Sequence, residues 1–404
     1  MEDLHVTYAV VGTLAVLLAA VSSRIRDLPV SEPLLALVVG AAVGPAALGW
    51  VDGPGEGSTL LLEGSRVLLA VSLVGVGLRF PVRRLRGVVT PTVALVTAGM
   101  LGMAALSAGL VWATLGVPLA VALVVGACIC PTDPVLASSV VTGRPAEEHL
   151  PVRLRQLLSS ESGTNDGLAL PLVLVAVALA TGGSVGSSLL DGGYQVLVGV
   201  AVGLGVGLVA GRAVAYALRH SDVDPGASLV FTLVLAVAVL GVARVLEADG
   251  VLSVFVAGLA YNWVVADDEV GPQNTVDEGV NRYLVLPLFL LLGTALPWSA
   301  WADLGWGAVL LPVGVLLLRR LPVLLALARP LGLRLPDALF LGWFGPVGVS
   351  ALFYLSLTAE EGVADPRVWA AGSLVVAAST VVHGVTSAPG RRLYRRAAGA
   401  TPTA

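Results

Sequence analysis

Three groups of polar residues interrupt otherwise apolar stretches of this 404-residue chain, and their types define the chemistry on offer. The first is Cys130-Pro131-Thr132-Asp133-Pro134. Two prolines three positions apart cannot sit in a continuous helix without releasing carbonyls and omitting amides. The segment is therefore expected to break, leaving two half-helices with free backbone groups around Thr132 and Asp133. The second group is Ser159-Ser160-Glu161-Ser162-Gly163-Thr164-Asn165-Asp166. Steps of three and four place Ser159, Ser162 and Asp166 on one helical face. Glu161 lies five positions from Asp166, about 140° around the helix, so the two carboxylates point in different directions and can do different jobs. Asp166, set among hydroxyls, suits a hard cation, which takes carboxylate, hydroxyl and carbonyl oxygens. Glu161 needs a basic partner, because an unpaired buried charge is not tolerated. The third group, Arg319-Arg320, offers one, and a structural Glu161–Arg320 bridge is preferred over a catalytic Glu161.

The elements that position these groups follow from composition. The chain is 56% hydrophobic and 12% charged, against about 25% charged residues in an ordinary globular domain. Its mean hydropathy is +0.91. Apolar stretches of about 20 residues recur along the whole length and do not alternate, which selects membrane-spanning helices over barrel strands. The spans are 6–23, 30–49, 60–78, 89–113, 117–142, 155–180, 194–216, 227–246, 250–266, 282–298, 306–328, 337–358 and 367–388. The fold class is thus an all-α polytopic membrane protein with about 13 transmembrane helices. With the N-terminus outside, cytoplasmic segments hold eighteen of the 23 basic residues, all of them arginine. These run from Arg24 and Arg26, through Arg79, Arg83, Arg84 and Arg86, to the tail with Arg391, Arg392, Arg395 and Arg396. Arg66, Arg244 and Arg367 lie on or near the outside. That asymmetry obeys the positive-inside rule, and Trp50, Trp298, Trp301 and Trp306 fit an interfacial belt on the outer face.

The same counts exclude several classes. A formal net charge of −4 without any long basic block argues against a nucleic-acid partner. The lack of lysine removes Schiff-base chemistry. Cys128 and Cys130, one residue apart in an apolar run, support neither a disulfide framework nor a zinc site and read as small apolar fillers. The start, Met1-Glu2-Asp3-Leu4-His5, lacks the basic region of a cleaved signal peptide. Asp267, Asp268, Glu269, Asp277 and Glu278 form an acidic loop on the assigned cytoplasmic side, solvated or acting as a cation funnel. His383 in span 13 reads as a hydrogen-bonded packing residue rather than a proton relay. A second Gly/Pro interruption, Phe344-Gly345-Pro346-Val347-Gly348-Val349-Ser350 in span 12, is a counterpart to the break in span 5. Paired broken helices are the best sequence pointer to two inverted halves with an ion site between them.

Taken in order and spacing, these motifs resemble the NhaP/NHE-type monovalent cation:proton antiporters (the sodium/proton exchanger family). The likeness rests on Thr132-Asp133-Pro134, on Glu161 through Asn165-Asp166, and on Arg320. Pro33-Leu34-Leu35 to Gly44-Pro45 and Val254-Phe255-Val256-Ala257-Gly258 add to it. The resemblance implies an inverted-repeat antiporter fold with two broken crossing helices, assembled as a homodimer in the lipid bilayer of the plasma (cell inner) membrane. Within a single transmembrane unit of residues 1–404, residues 1–88 and 217–300 would form a dimer or scaffold domain. Residues 89–180 and 301–390 would form the ion-translocating core, and 391–404 a short cytoplasmic tail. By resemblance Asp166 carries cation or proton, with Thr132, Ser162 and Asn165 helping to hold the cation. Asp133 steadies the crossing, and Glu161 pairs with Arg320. No cofactor is implied beyond the transported ions. Asn165 before Asp166, in place of a second Asp, is the mark of electroneutral exchange. Two departures stand out: Val347 occupies a place usually held by Arg, and Leu73-Val74-Gly75-Val76-Gly77-Leu78 lacks a frequent acid. One charge of each sign is missing, which leaves the core balanced. The expected activity is exchange of Na+, or Li+, for H+ by elevator-type alternating access. The alternatives are K+/H+ exchange on the same fold, an intramembrane lipid-modifying enzyme, and a relative that no longer transports.

Overall fold

Inside a bilayer each backbone amide must find its partner within its own segment, so long runs of Leu, Val and Ala fold as helices. The computed structural model describes residues 2–20, 30–55, 57–220, 225–265 and 284–399, and among them every regular element is helical. The first half comprises α1 (Glu2–Ala20), α2 (Glu32–Val43), α3 (Thr59–Leu78), α4 (Val89–Leu115), α5a (Leu119–Cys128), α5b (Pro134–Val141) and α6 (Val152–Thr181). Beyond it lie α7 (Val185–Arg219), α8 (Pro225–Val245), α9 (Gly250–Val264), α10 (Val285–Thr294), α11 (Gly307–Leu327), α12a (Leu335–Trp343), α12b (Val349–Glu360) and α13 (Pro366–Ala398). Six of these, α3, α4, α6, α7, α11 and α13, are long and apolar enough to cross a membrane. The others are shorter apolar helices or the halves of broken ones.

Each expected span contains a helix, with shifted ends in two places. The α7 helix starts at Val185, well before the apolar run that marked its span, because the small polar residues of that stretch continue the helix without a Pro to stop it. The α13 helix runs on to Ala398 and carries Pro389 and the terminal arginines with it, ending at Gly399 in the left-handed conformation. Arg24, Arg26, Arg282 and the acidic loop of Asp267, Asp268, Glu269, Asp277 and Glu278 lie outside the described residues.

Packing builds two neighbourhoods that meet along a seam. The α9 helix lies against α7, α3 and α8, and α2 lies against α10. The α4 and α6 helices flank α5a, and α13 contacts both α12 halves and α5. The seam runs where α6 meets α9 and where α3 meets α12b. On α6, a Cβ at Gly167 would fall 2.5 Å from the Leu252 Cβ of α9, so the two backbones touch where only glycine fits.

The two breaks lie where the prolines place them. Helix α5 stops at Cys128 and resumes at Pro134, and helix α12 stops at Trp343 and resumes at Val349. The unwound pieces cross, with the Asp133 amide donating to the Pro346 carbonyl at 2.9 Å. Gly348 makes that approach possible, since a Cβ there would sit 2.6 Å from Asp133 Oδ2 and 2.7 Å from Leu136 Cδ1. The Gly348→Ala variant is expected to lose about 1–3 kcal/mol by forcing the crossing apart. Gly109→Ala, whose added methyl meets nothing within 4 Å, serves as the matched control. Thermal unfolding of both variants in detergent checks this, and an unchanged midpoint for Gly348→Ala would contradict the close crossing.

Candidate functional site

Two broken helices have four inner ends. The N-terminal ends of α5b and α12b present unpaired amides with partial positive charge, and the C-terminal ends of α5a and α12a present unpaired carbonyls with partial negative charge. A single acid serves the two positive ends. Asp133 Oδ1 accepts from the Leu136 amide at 2.8 Å in α5b, and Oδ2 accepts from the Ser350 amide at 3.2 Å in α12b. Asp133 is therefore both the N-cap of its own half-helix and the tie to the other. A single base serves the two negative ends. Arg319 Nη1 donates to the carbonyls of Ile129, Cys130 and Pro131 at 2.8, 3.1 and 3.1 Å, and Nη2 donates to the Gly345 carbonyl.

Arg319 reaches these groups because α11 is not regular there. A π-turn over Val315–Arg319 ends at Arg320, whose φ of −109° departs from helix. Such widened turns re-aim side chains and recur at functional sites. Here the turn sends two consecutive arginines to different partners. Arg320 turns to Glu161 on α6, with Nη1 to Oε1 at 2.7 Å and Nη2 to Oε2 at 2.8 Å, and its Nε donates to the Leu341 carbonyl at 2.7 Å. Both side chains are buried. Two parallel charge-assisted bonds are the strongest geometry available to such a pair.

Asn165 welds the ion pair to the broken helix. Its amide nitrogen donates to Glu161 Oε1 at 3.0 Å and to Thr132 Oγ1 at 2.9 Å, and its Oδ1 accepts from the Thr132 amide at 3.3 Å. Thr132 Oγ1 in turn meets Ser162 Oγ at 3.1 Å. The structure thus brings Thr132, Ser162, Asn165, Glu161 and Arg320 into one hydrogen-bonded network, with Asp133 in the crossing beside it.

Asp166 stands apart from that network. It is fully buried, and among the described residues neither carboxylate oxygen has a hydrogen-bond partner. The Ser350 hydroxyl lies beside it and is also buried. Tyr354 anchors the backbone at this point, its hydroxyl donating to the Asp166 carbonyl oxygen. A carboxylate held bare in this setting can act only by taking up a proton or a cation, since its isolated charge is costly in an apolar interior. Ser159, expected on the same face, is instead engaged by Arg79 Nη1 at 2.9 Å. His383 makes bonds to Ser379 and to the Trp343 carbonyl, so it packs α13 against α12a. Val347 is buried and its amide donates to Ser379 Oγ at 2.8 Å.

Three contributors were not singled out from sequence: Arg319 as the cap of two carbonyl ends, Ser350, and Tyr354. A signal for each existed. Two adjacent arginines in one apolar span require two sets of acceptors, and the carbonyls freed by Pro131 and Pro134 are such a set. Ser350 and Tyr354 are one turn apart immediately after the Gly345-Pro346 break.

Known proteins place this architecture. The profile of the family described as "Sodium/hydrogen exchanger, transmembrane" matches residues 12–390. The chain is 34% identical over 374 residues to Na(+)/H(+) antiporter 2 of Zygosaccharomyces rouxii, covering 86% of this chain and 45% of that protein. It is 32% identical over 382 residues to the Na(+)/H(+) antiporter of Saccharomyces cerevisiae, covering 88% of this chain and 38% of that one. The chain therefore spans less than half the length of these two relatives. Its fold matches the sodium proton antiporter MjNhaP1 of Methanocaldococcus jannaschii with a TM-score of 0.70 at 19% identity, over 98% of each chain. By the extent of the profile match, the chain belongs to the transmembrane sodium/hydrogen exchanger family.

Proposed function

We propose that this protein exchanges a monovalent cation for H+ across a membrane, with Asp166 holding either ion in turn. The observation that carries this reading is the Asp166 carboxylate, fully buried with both oxygens unpartnered among the described residues, at the crossing of two broken helices. Charge balance supports a one-for-one exchange. At the crossing, Arg319 offsets Asp133 and Arg320 offsets Glu161, so a single negative charge remains, on Asp166. One proton or one monovalent cation neutralises it; a divalent cation would leave an excess charge in an apolar interior. The names of the two yeast relatives favour Na+ as the cation, with Li+ as its chemical neighbour.

Oxygens from Asp166, Ser350 and the Thr132–Ser162 hydroxyl pair make up the proposed cation shell, a donor set suited to a hard cation. Asn165 acts from behind by fixing Thr132 and Glu161. The seam between α6 and α9, and between α3 and α12b, is the proposed sliding surface for elevator-type alternating access. Residues 89–180 and 301–390 would move against a dimeric scaffold of 1–88 and 217–300. The arginine distribution supports an N-out, C-in orientation, and a plasma-membrane location belongs to the same proposal. A lipid-modifying enzyme fits less well, because the arginines buried among the described residues are already engaged, Arg319 by internal carbonyls, Arg320 by Glu161 and Arg66 by Glu63, rather than aimed at a head group.

Proton flux in reconstituted vesicles tests the reading. With an imposed pH gradient followed by a pH-sensitive dye, the wild type should dissipate it on addition of Na+ or Li+, and Asp166→Asn should not. Cation-dependent flux retained in Asp166→Asn would remove Asp166 from the mechanism, and a response confined to K+ would change the ion while keeping the fold. The Glu161–Arg320 pair is expected to behave as structure. Glu161→Gln and Arg320→Ala each strand a buried charge, at a cost of about 3–5 kcal/mol. Yields of folded protein should therefore drop sharply for both, as read by size-exclusion profiles in detergent, and normal yields would contradict a structural role.

A further inference from the structure

A second buried carboxylate takes no part in the crossing. Asp249 caps the start of α9, its Oδ1 accepting from the Leu252 amide at 3.0 Å, while its own amide donates to the Gln195 carbonyl at 3.1 Å. Only 3% of the residue is exposed, yet among the described residues Oδ2 has no hydrogen-bond partner. This is the same condition that marks Asp166, and helix capping explains only one of the two oxygens.

Asp249 lines a cavity of about 350 Å³ that the crossing does not use. Its mouth is marked by the exposed Glu247 and Glu361, and its depth by Leu170 and Phe353. Leu170 lies one helical turn beyond Asp166 on α6, and Phe353 precedes the Tyr354 whose hydroxyl holds the Asp166 carbonyl. Leu252, whose amide Asp249 caps, rests on Gly167, the neighbour of Asp166. The cavity thus opens at the surface, and its buried wall lies one helical turn along α6 from Asp166.

Charge in the cavity favours a cation. Of its two arginines, Arg66 is tied by Glu63 and stacks 5.3 Å from the Phe353 ring centroid. That leaves Arg244 against Glu247, Asp249 and Glu361, a net negative cleft that raises the local cation concentration. Gln195 is also on the wall, and amide oxygens are of the kind a hard cation accepts. Glu247, in the turn before Asp249, has a φ of 52°, a left-handed conformation that non-glycine residues seldom adopt.

We propose that Asp249 is a second cation station, binding the transported monovalent cation in this cavity on its way between solvent and Asp166. The proposal rests on the exchange reading above, and its test separates the two. Asp249→Asn keeps an oxygen for the Leu252 cap and removes the charge; Asp249→Ser does the same with a different side chain and guards against misfolding of the first. In purified protein, NaCl compared with choline chloride at equal ionic strength should still stabilise Asp166→Asn against heat, through Asp249. The double variant Asp166→Asn/Asp249→Asn should lose that difference. In vesicles, Asp249→Asn should raise the KM for Na+ about tenfold, equivalent to ~1.4 kcal/mol, when Na+ is supplied on the cavity side, and leave the KM from the opposite side unchanged. A purely structural Asp249 would instead lower the maximal rate equally from both sides, which would overturn the proposal. So would sodium stabilisation that is absent from Asp166→Asn or that survives in the double variant. If wild-type protein shows no cation-driven proton flux, the exchange reading falls, and the stabilisation measurement still decides whether Asp249 binds the ion.

Discussion

Four helix ends meet at one point inside a bilayer, and their unpaired backbone groups have to be satisfied there without water. The remainder of the site depends on how that is done. Asp133 takes the amide ends of α5b and α12b, and Arg319 takes the carbonyl ends of α5a and α12a. Opposite half-charges of the helix termini are thus matched by opposite full charges, each interaction contributing up to about 2 kcal/mol in partly buried settings. The arrangement resists separation because either side chain, deprived of one helix, would leave orphaned groups in hydrocarbon.

Around that crossing every other charge has an assigned partner. Arg320 and Glu161 close a bidentate pair, and Asn165 links it to Thr132 on the unwound segment. A fully satisfied polar network inside a low-dielectric core is rigid, since each broken bond costs more there than in water. Asp166 is the exception, a carboxyl on the same helix as Glu161 and given no partner. Rigid surroundings with one unsatisfied charge are what a site needs if it is to release one ion only on receiving another. Tight glycine contacts between α6 and α9 bring this site to the seam between the two neighbourhoods.

Much of this was legible in the sequence, for reasons that can be named. Pro131 and Pro134, and Gly345 with Pro346, marked both interruptions because proline cannot continue a helix and because the surrounding residues were too apolar to be loops. Arg320 was named as the partner of Glu161 on the ground that a buried acid requires a base, and the two side chains meet. Arg319 was harder, because its partners are backbone carbonyls, which carry no residue-type signal. Asn165, expected to help hold the cation, has its amide nitrogen engaged by Glu161 and Thr132; helical angles fix a residue's direction but not which neighbour arrives there. Asp249 falls between two apolar spans and carries no sequence signal of its own; only the packing of α9 against α6 reveals its burial. The ends of α7 and α13 were misjudged because hydrophobicity marks the membrane, whereas a helix continues until something stops it.

The central claim is that proton and cation compete for one carboxyl, Asp166. Proton release on cation binding measures that competition without any need for transport. Purified protein in weakly buffered detergent solution, at a pH where Asp166 is protonated, should release one proton per chain when Na+ or Li+ is added. It should release none when choline is added, and none in Asp166→Asn. Saturable cation binding by the wild type without proton release would contradict the account.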